Sequence, residues 1–185
     1  MLIRKPLLFL LLLLPLLFMG LSTAVAQNDD GLTMDVRAGF DGYYKPDFWT
    51  PVQVTIANSG TAVEGELRIT LGSALSGDQV VYNAPISLPT QSNKRVTLYI
   101  FLPQFASGVT VELLADNGRS LLTTPSNKLT QVGSDGILYG VVTPTAGDLD
   151  FLKDVKAGRP EAAVAYLELT DLPDVPPAWN GLDVL

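Results

Sequence analysis

Val52-Gln53-Val54-Thr55-Ile56-Ala57, followed by Asn58-Ser59-Gly60, decides the fold. Apolar residues at every second position put Val52, Val54 and Ile56 on one face of an extended strand, whereas a helix would scatter them around its axis. Asn-Ser-Gly then supplies turn chemistry. The same period recurs on both sides. Residues 33–39 alternate, and residues 66–71 turn Leu67, Ile69 and Leu71 inward. Residues 79–88 form a further run, and residues 94–102 set Val96, Leu98 and Ile100 against Thr97, Tyr99 and Phe101. Residues 109–115 and 119–124 flank Asp116-Asn117-Gly118. Asn-Gly provides the positive φ angles of a tight hairpin. Seven short strands with turns between them predict a mainly β fold, a sandwich of two antiparallel sheets with Val54, Ile56, Leu67, Ile69 and Leu98 inside.

Just ahead of the deciding strand, residues 40–50 read FDGYYKPDFWT and hold five aromatic residues. Tyr43, Tyr44 and Trp49 could stack on a sugar ring if exposed. The alternative is that the loop folds over one end of the sandwich and plugs its core, since aromatic rings carry large buried area. The stretch Tyr44-Lys45-Pro46-Asp47-Phe48-Trp49-Thr50-Pro51-Val52-Gln53-Val54-Thr55-Ile56-Ala57-Asn58-Ser59-Gly60 resembles the opening of immunoglobulin-like domains in bacterial envelope proteins, where a Tyr/Pro/Trp segment precedes a V-x-V-x-I-x-N-x-G strand. The resemblance covers residues 43–60 well and 31–132 loosely. It implies an immunoglobulin-like domain that works as a spacer or interaction module without catalysis.

Met1 to Lys5 is short and basic, residues 6–20 are almost wholly apolar, and Ala24-Val25-Ala26 fits an A-x-A cleavage site. Residues 1–26 therefore read as a signal peptide ending before Gln27, or as an N-terminal membrane anchor if they are retained. Either reading puts the remainder outside the cytoplasm, because Arg4 and Lys5 hold the N-terminus inside. Those two are the basic residues of the segment; beyond it stand ten basic and 19 acidic residues, a net charge of about −9. Nucleic acid is thus not an expected partner. The chain has no Cys and no His. This removes disulfides, thiolate catalysis, a Ser-His-Asp triad, Cys/His zinc sites and a lipidated Cys.

Near Ser134 the texture changes. Gly136-Ile137-Leu138-Tyr139-Gly140-Val141-Val142-Thr143 is continuously apolar, as in a parallel strand buried on both faces. Leu149, Leu152 and Val155 follow in a short helical pattern closed by Gly158, with Asp148 and Asp150 at its start and Lys153 and Lys156 at its end. Residues 162–169 read as a second strand, residues 171–177 as an extended acidic loop, 178–181 as a turn, and Leu182-Asp183-Val184-Leu185 as the start of a third strand. Leu172-Pro173 and Trp179-Asn180-Gly181-Leu182-Asp183-Val184-Leu185 resemble the early part of class I glutamine-amidotransferase-like α/β domains fused to envelope modules. The nucleophile elbow of such domains is absent, so no catalytic residue carries over. With two apolar-faced strands and one short helix, residues 134–185 are expected to be the beginning of a larger α/β domain, or else a small layer docked on the sandwich.

No phosphate-binding, nucleophile-elbow or EF-hand motif occurs. Gly133-Ser134-Asp135-Gly136 reads as a linker, and Ser126-Asn127-Lys128 lacks the spacing of a Ser/Lys dyad. The acidic pairs Asp29/Asp30, Asp148/Asp150 and Asp171/Asp174 supply too few oxygens for calcium. The expectation is three segments: 1–26 for export or anchoring, 31–132 as the sandwich, and 134–185 as a partial α/β segment. The expected function is that of an exported, non-catalytic envelope module, without cofactor or metal, that scaffolds the α/β segment. Its expected partners are an envelope protein or a glycan, and the membrane if the N-terminal segment stays. The rival functions are a glycan- or protein-binding adhesion-like module and the N-terminal part of an amidotransferase-like envelope enzyme.

Overall fold

A computed structural model describes residues 26–27, 31–73, 79–104, 106–125 and 129–185. The export or anchor segment up to residue 25, Asp29-Asp30 and Ser126-Asn127-Lys128 lie outside the described residues. Among the described residues no helix is long and apolar enough to cross a membrane.

The described residues form twelve strands: β1 (Ala26–Gln27), β2 (Leu32–Ala38), β3 (Tyr43–Tyr44), β4 (Phe48–Asn58), β5 (Val63–Ser73), β6 (Gln79–Leu88), β7 (Ser92–Leu102), β8 (Ala106–Ala115), β9 (Ser120–Pro125), β10 (Thr130–Gln131), β11 (Ile137–Val142) and β12 (Ala162–Leu167). Two antiparallel sheets form the body, ordered β1-β2-β4-β7 and β6-β5-β8-β9. The chain crosses between sheets from β4 to β5, back from β6 to β7, and over again from β7 to β8. This is the immunoglobulin-like sandwich.

The period-two reading holds residue by residue where one face is buried. On β2, Leu32, Met34, Val36 and Ala38 are buried in one cluster with Val54, Ile56, Leu67 and Ile69. Of the five expected core residues, four are sealed from solvent, while Leu98 is half-buried and packs against the same cluster. Each fully buried aliphatic side chain contributes about 1.5–3 kcal/mol to this layer. The turn after β8 has a different form from the one expected. Among residues 116–118 only Gly118 takes a positive φ (78°), with Gly118 N–H bonded to Ala115 O at 2.8 Å and Ala115 N–H to Arg119 O at 2.9 Å. It is a type I turn closed by a left-handed glycine, a three-residue loop with a bulge, in place of the two-residue turn with two positive φ angles. The register accordingly shifts between Leu113 and Leu114.

One strand breaks the alternation. Thr50, Pro51 and Gln53 on β4 are buried along with Val52 and Val54, so β4 is covered on both faces. The second cover comes from residues 134–185. There β11 and β12 pair in parallel, as the apolar runs predict. One face carries Leu138, Ala165 and Leu167 packed with Phe40 and Val132; the other carries Ile137, Tyr139, Val141 and Val164. The rest departs from expectation. The helix over 149–156 is a five-residue 3-10 turn, Asp150–Asp154, none of it buried. The supposed extended loop 171–177 is folded at both ends, by 3-10 turns Leu169–Asp171 and Pro176–Gly181. Pro at the first helical positions suits such a turn, because its missing N–H has no partner there anyway. The third run makes one parallel bridge, Tyr139 to Val184, with Asp183 N–H to Leu138 O at 3.0 Å and Gly140 N–H to Val184 O at 2.8 Å.

Candidate interaction site

The aromatic loop sits at the seam between the sandwich and residues 134–185. Its shape starts at Gly39, whose φ is +78° and whose added Cβ would stand 2.5 Å from Tyr43 O. Phe40 and Tyr43 then exchange backbone hydrogen bonds of 2.8 and 2.9 Å, with Asp41 (φ 51°) and Gly42 (φ 80°) at the tip. This tight reversal sends neighbouring aromatics in opposite directions. Phe40 is buried in the cluster of Leu138, Ala165 and Leu167, and Tyr43 packs against it half-buried. Tyr44 is sealed in the sandwich core.

β3 pairs in parallel with β10, so the chain leaving the sandwich is tied to the loop by Thr130 N–H to Gly42 O and Val132 N–H to Tyr44 O, both 2.8 Å. The Tyr44 hydroxyl accepts the Ala106 N–H at 3.0 Å and lies 3.1 Å from Gln131 Oε1. Burial pushes the phenol above its usual range, opposed by the Ala106 hydrogen bond.

Lys45 follows. A lysine is seldom buried. This one is 4 % exposed. An ammonium has three donors. Here they meet Asp183 Oδ1 and Oδ2, both at 2.9 Å, and Gly136 O at 3.2 Å. Asp183 Oδ2 also accepts the Leu138 N–H at 2.8 Å. A buried pair this well satisfied is strongly destabilised when one partner is removed, since the other charge is left in a poor solvent. The seam continues along the outer face of β4 and β7. Gln53 Nε2 reaches Thr170 O at 3.5 Å, and Tyr99 Oη donates to Asp174 Oδ1 at 2.6 Å while accepting the Asp174 N–H at 3.0 Å. Burial first, and then the Asp174 contact, raise the Tyr99 phenol.

Trp49 is 39 % exposed and meets Phe101 edge-on, with ring centroids 6.1 Å apart and planes at 74°. The three rings singled out for ligand stacking therefore do not form one platform. Tyr44 is inside the sandwich and cannot touch a ligand, Tyr43 is in the seam, and Trp49 stands apart beside Phe101. The core-plugging alternative describes Tyr44 and Phe40. The residues that join the two parts, Lys45 and Asp183, were not singled out in the sequence. A signal existed, since Asp183 is a lone charge in an apolar run and Lys45 is the one basic residue of the aromatic run, between Asp41 and Asp47.

Residues 31–129 match a family model described as a domain of unknown function, DUF8726, over more than half of the chain. The chain belongs to this family. The match covers the DUF8726 sandwich and stops before residues 134–185; nothing in it supports the amidotransferase-like resemblance of that segment. No curated protein matches the chain. Among solved structures it is similar to the CARDB domain of a Pyrococcus furiosus protein, solved in complex with di-metal ions, at 15% identity over 61% of this chain and 94% of that one, TM-score 0.38. It is also similar to a Paenibacillus sp. cycloisomaltooligosaccharide glucanotransferase complexed with cycloisomaltoheptaose, at 17% identity over 64% of this chain and 17% of that one, TM-score 0.38. At these values neither likeness carries a reading of function.

Proposed function

We propose that the protein is an exported, non-catalytic module of the cell envelope whose DUF8726 sandwich holds residues 134–185 in a fixed seat. The observation that carries this reading is the Lys45–Asp183 pair, which fastens the start of the sandwich to residue 183 through buried bonds of 2.9 Å. A spacer joined by a flexible linker has no use for such a bond, because inter-domain motion is the default where the interface is small and polar. Here Phe40, Tyr43 and the outer face of β4 add apolar contact to the ion pair. Export is supported by Arg4-Lys5, the apolar residues 6–20 and Ala24-Val25-Ala26.

Two measurements test this reading. Hydrogen exchange on the purified exported protein is expected to show residues 134–185 protected, and that protection is expected to fall in Lys45→Met while the sandwich keeps its own. A Lys45→Met protein with unchanged exchange in residues 134–185 would remove the holding role. Intact-mass analysis is expected to place the mature N-terminus at Gln27. A product recovered in the cytoplasm with residues 1–26 still attached would overturn export. Cleavage there would leave Gln27 still opposite Thr33 on β2.

A further inference from the structure

An edge strand shows the backbone groups of every second residue to solvent, and such a row is a template for another strand. Among the described residues the sandwich has four edges, and three of them are guarded. β1 is two residues long, and β9 is six residues long, broken by a bulge in its ladder and laid against β1 and β2. β6 carries Pro85, which has no N–H to offer, and its Ser87 O accepts Lys94 Nζ at 3.2 Å. β7 is different. Its eleven residues hold an unbroken register with β4 and include no proline. Leu102 O accepts the Asp47 N–H at 2.8 Å, so the even-numbered residues of β7 turn their backbone groups toward β4. Phe101 N–H points the other way, to Tyr82 Oη at 3.1 Å. By alternation Asn93, Arg95, Thr97 and Tyr99 also face outward. Tyr99 is fastened through its hydroxyl to Asp174, so residues 93–97 are the open stretch, left to solvent.

Two exposed cations, Lys94 and Arg95, stand on this stretch in an otherwise acidic chain. Neither pairs with a carboxylate among the described residues. On the face of Arg95, Asp35 lies two strands away across Thr55, about 10 Å off by strand spacing. Exposed charges are screened beyond about 8 Å, so an arriving strand feels the two cations first. On the inner face of the same stretch, Val96 and Leu98 are half-buried against the core.

We propose that the edge of β7 accepts an added strand from a partner protein, an extended segment whose residues alternate acidic and apolar. Residues directly opposite each other share a face of the sheet. Acidic side chains of the added strand therefore meet Arg95 on the outer face, while apolar ones extend the cover of Val96 and Leu98 on the inner face. Backbone bonds supply attraction and the alternation supplies choice. The same charges oppose a second copy of this chain. Two β7 edges paired antiparallel about the middle of the open stretch set Arg95 opposite Arg95, and like charges there are destabilising. Lys94 and Arg95 also hold chance pairing down, as basic residues on edges do, so the stretch is selective where β6 is closed. This inference is independent of export and of the holding role.

The test is an NMR titration of the ¹⁵N-labelled exported protein with a capped seven-residue peptide that alternates glutamate and valine, and separately with one that alternates lysine and valine. The expected result is a saturable shift of the Arg95 and Thr97 backbone amides for the glutamate peptide alone, with binding in the millimolar range because a short free peptide loses much freedom on docking. Thr97→Pro removes one outward N–H without touching the ladder to β4, and is expected to weaken binding about tenfold or more. Arg95→Glu is expected to weaken it by a similar factor. Arg119→Glu, on the hairpin between β8 and β9, changes the net charge equally and is expected to leave binding unchanged. Should Thr97→Pro unfold, Arg95→Glu and Lys94→Glu carry the test. Equal binding of the lysine peptide, or binding that survives these substitutions in folded protein, would overturn the proposal, as would the absence of any saturable shift. Shifts of the same amides on concentrating the protein alone would make a second copy the occupant and overturn the partner assignment.

Discussion

The sandwich and the segment after it solve the same problem, burying apolar strands, by opposite means. In the sandwich each sheet covers the other, and seven strands of six or more residues share one core. In residues 134–185 two six-residue strands are apolar on both faces, and among the described residues no α-helix covers either one. One face borrows Phe40 and Val132 from the sandwich side of the seam, and the other is closed by Leu149, Leu152 and Tyr166 of the segment itself. The first region is therefore self-supporting and the second depends on the first. Stability in the segment comes from contacts that span the chain, so its loss need not unfold the sandwich, whereas loss of the sandwich removes both.

The sharpest way to break this asymmetry is in the shared core. Ile69 has no exposure. Ile69→Ala is expected to lower the unfolding free energy by about 2–5 kcal/mol in urea melts, and both regions should melt together. Separate transitions would mean that the segment folds without its seat. Lys45→Met comes next, at about 1–3 kcal/mol, below the range for fully buried pairs. The reason is that Asp183 keeps partial exposure, and the loss should be read in residues 134–185 alone. Restoring the balance with Lys45→Met/Asp183→Leu is expected to recover most of it, because two apolar groups leave no charge stranded.

Alkali offers a third handle. The Tyr44 phenol is raised by burial, so its folded value lies above its unfolded one near 10. Its contribution is complete below about pH 10 and is lost as the pH climbs through the folded value. Melts of wild type are expected to weaken steeply there, and those of Tyr44→Phe less so. A matching slope in the two would assign the alkaline loss to other groups. The smallest effect belongs to Thr70, half-buried on the face of β5 opposite Ile69. Thr70→Ala is expected to cost about 0.5 kcal/mol at most. An effect as large as that of Ile69→Ala would refute the strand register.

What could be read from the sequence divides along the same line. β6 was readable to its end residues and β4 to its inner face, because alternation reports burial on one side directly. The outer face of β4 was not readable. Pro51 and Gln53 look like solvated positions, and only the distant 3-10 turns Leu169–Asp171 and Pro176–Gly181 bring cover to that face. Likewise Arg37 reads as a surface charge until Asp171 is placed beside it. The helix expected over 149–156 does not form, although its apolar spacing and end charges suit one: the chain packs only Leu149 and Leu152 there and curls into a single 3-10 turn, Asp150–Asp154. Local pattern reports local burial; the seam made by distant segments leaves little trace in it beyond Asp183, a lone charge in an apolar run.

Lys45 and Asp183 are separated by 138 positions, and this distance sets an order of events in time. In a chain emerging N-terminus first at the pace of synthesis, about 5–20 residues per second, roughly 3–12 s separate Pro125, the end of β9, from Asp183. Sandwiches of this contact order close in milliseconds to seconds. The two sheets can thus be complete while Lys45 still faces water and Phe40 and Pro51 lie bare. Closure of the seam is then a separate and later event than closure of the sandwich, triggered by the arrival of one carboxylate. A chain cut before Asp183 would carry the same sandwich with an oily, cationic scar at its base. That scar would be a chemical label by which a protease or chaperone could tell an open seam from a closed one.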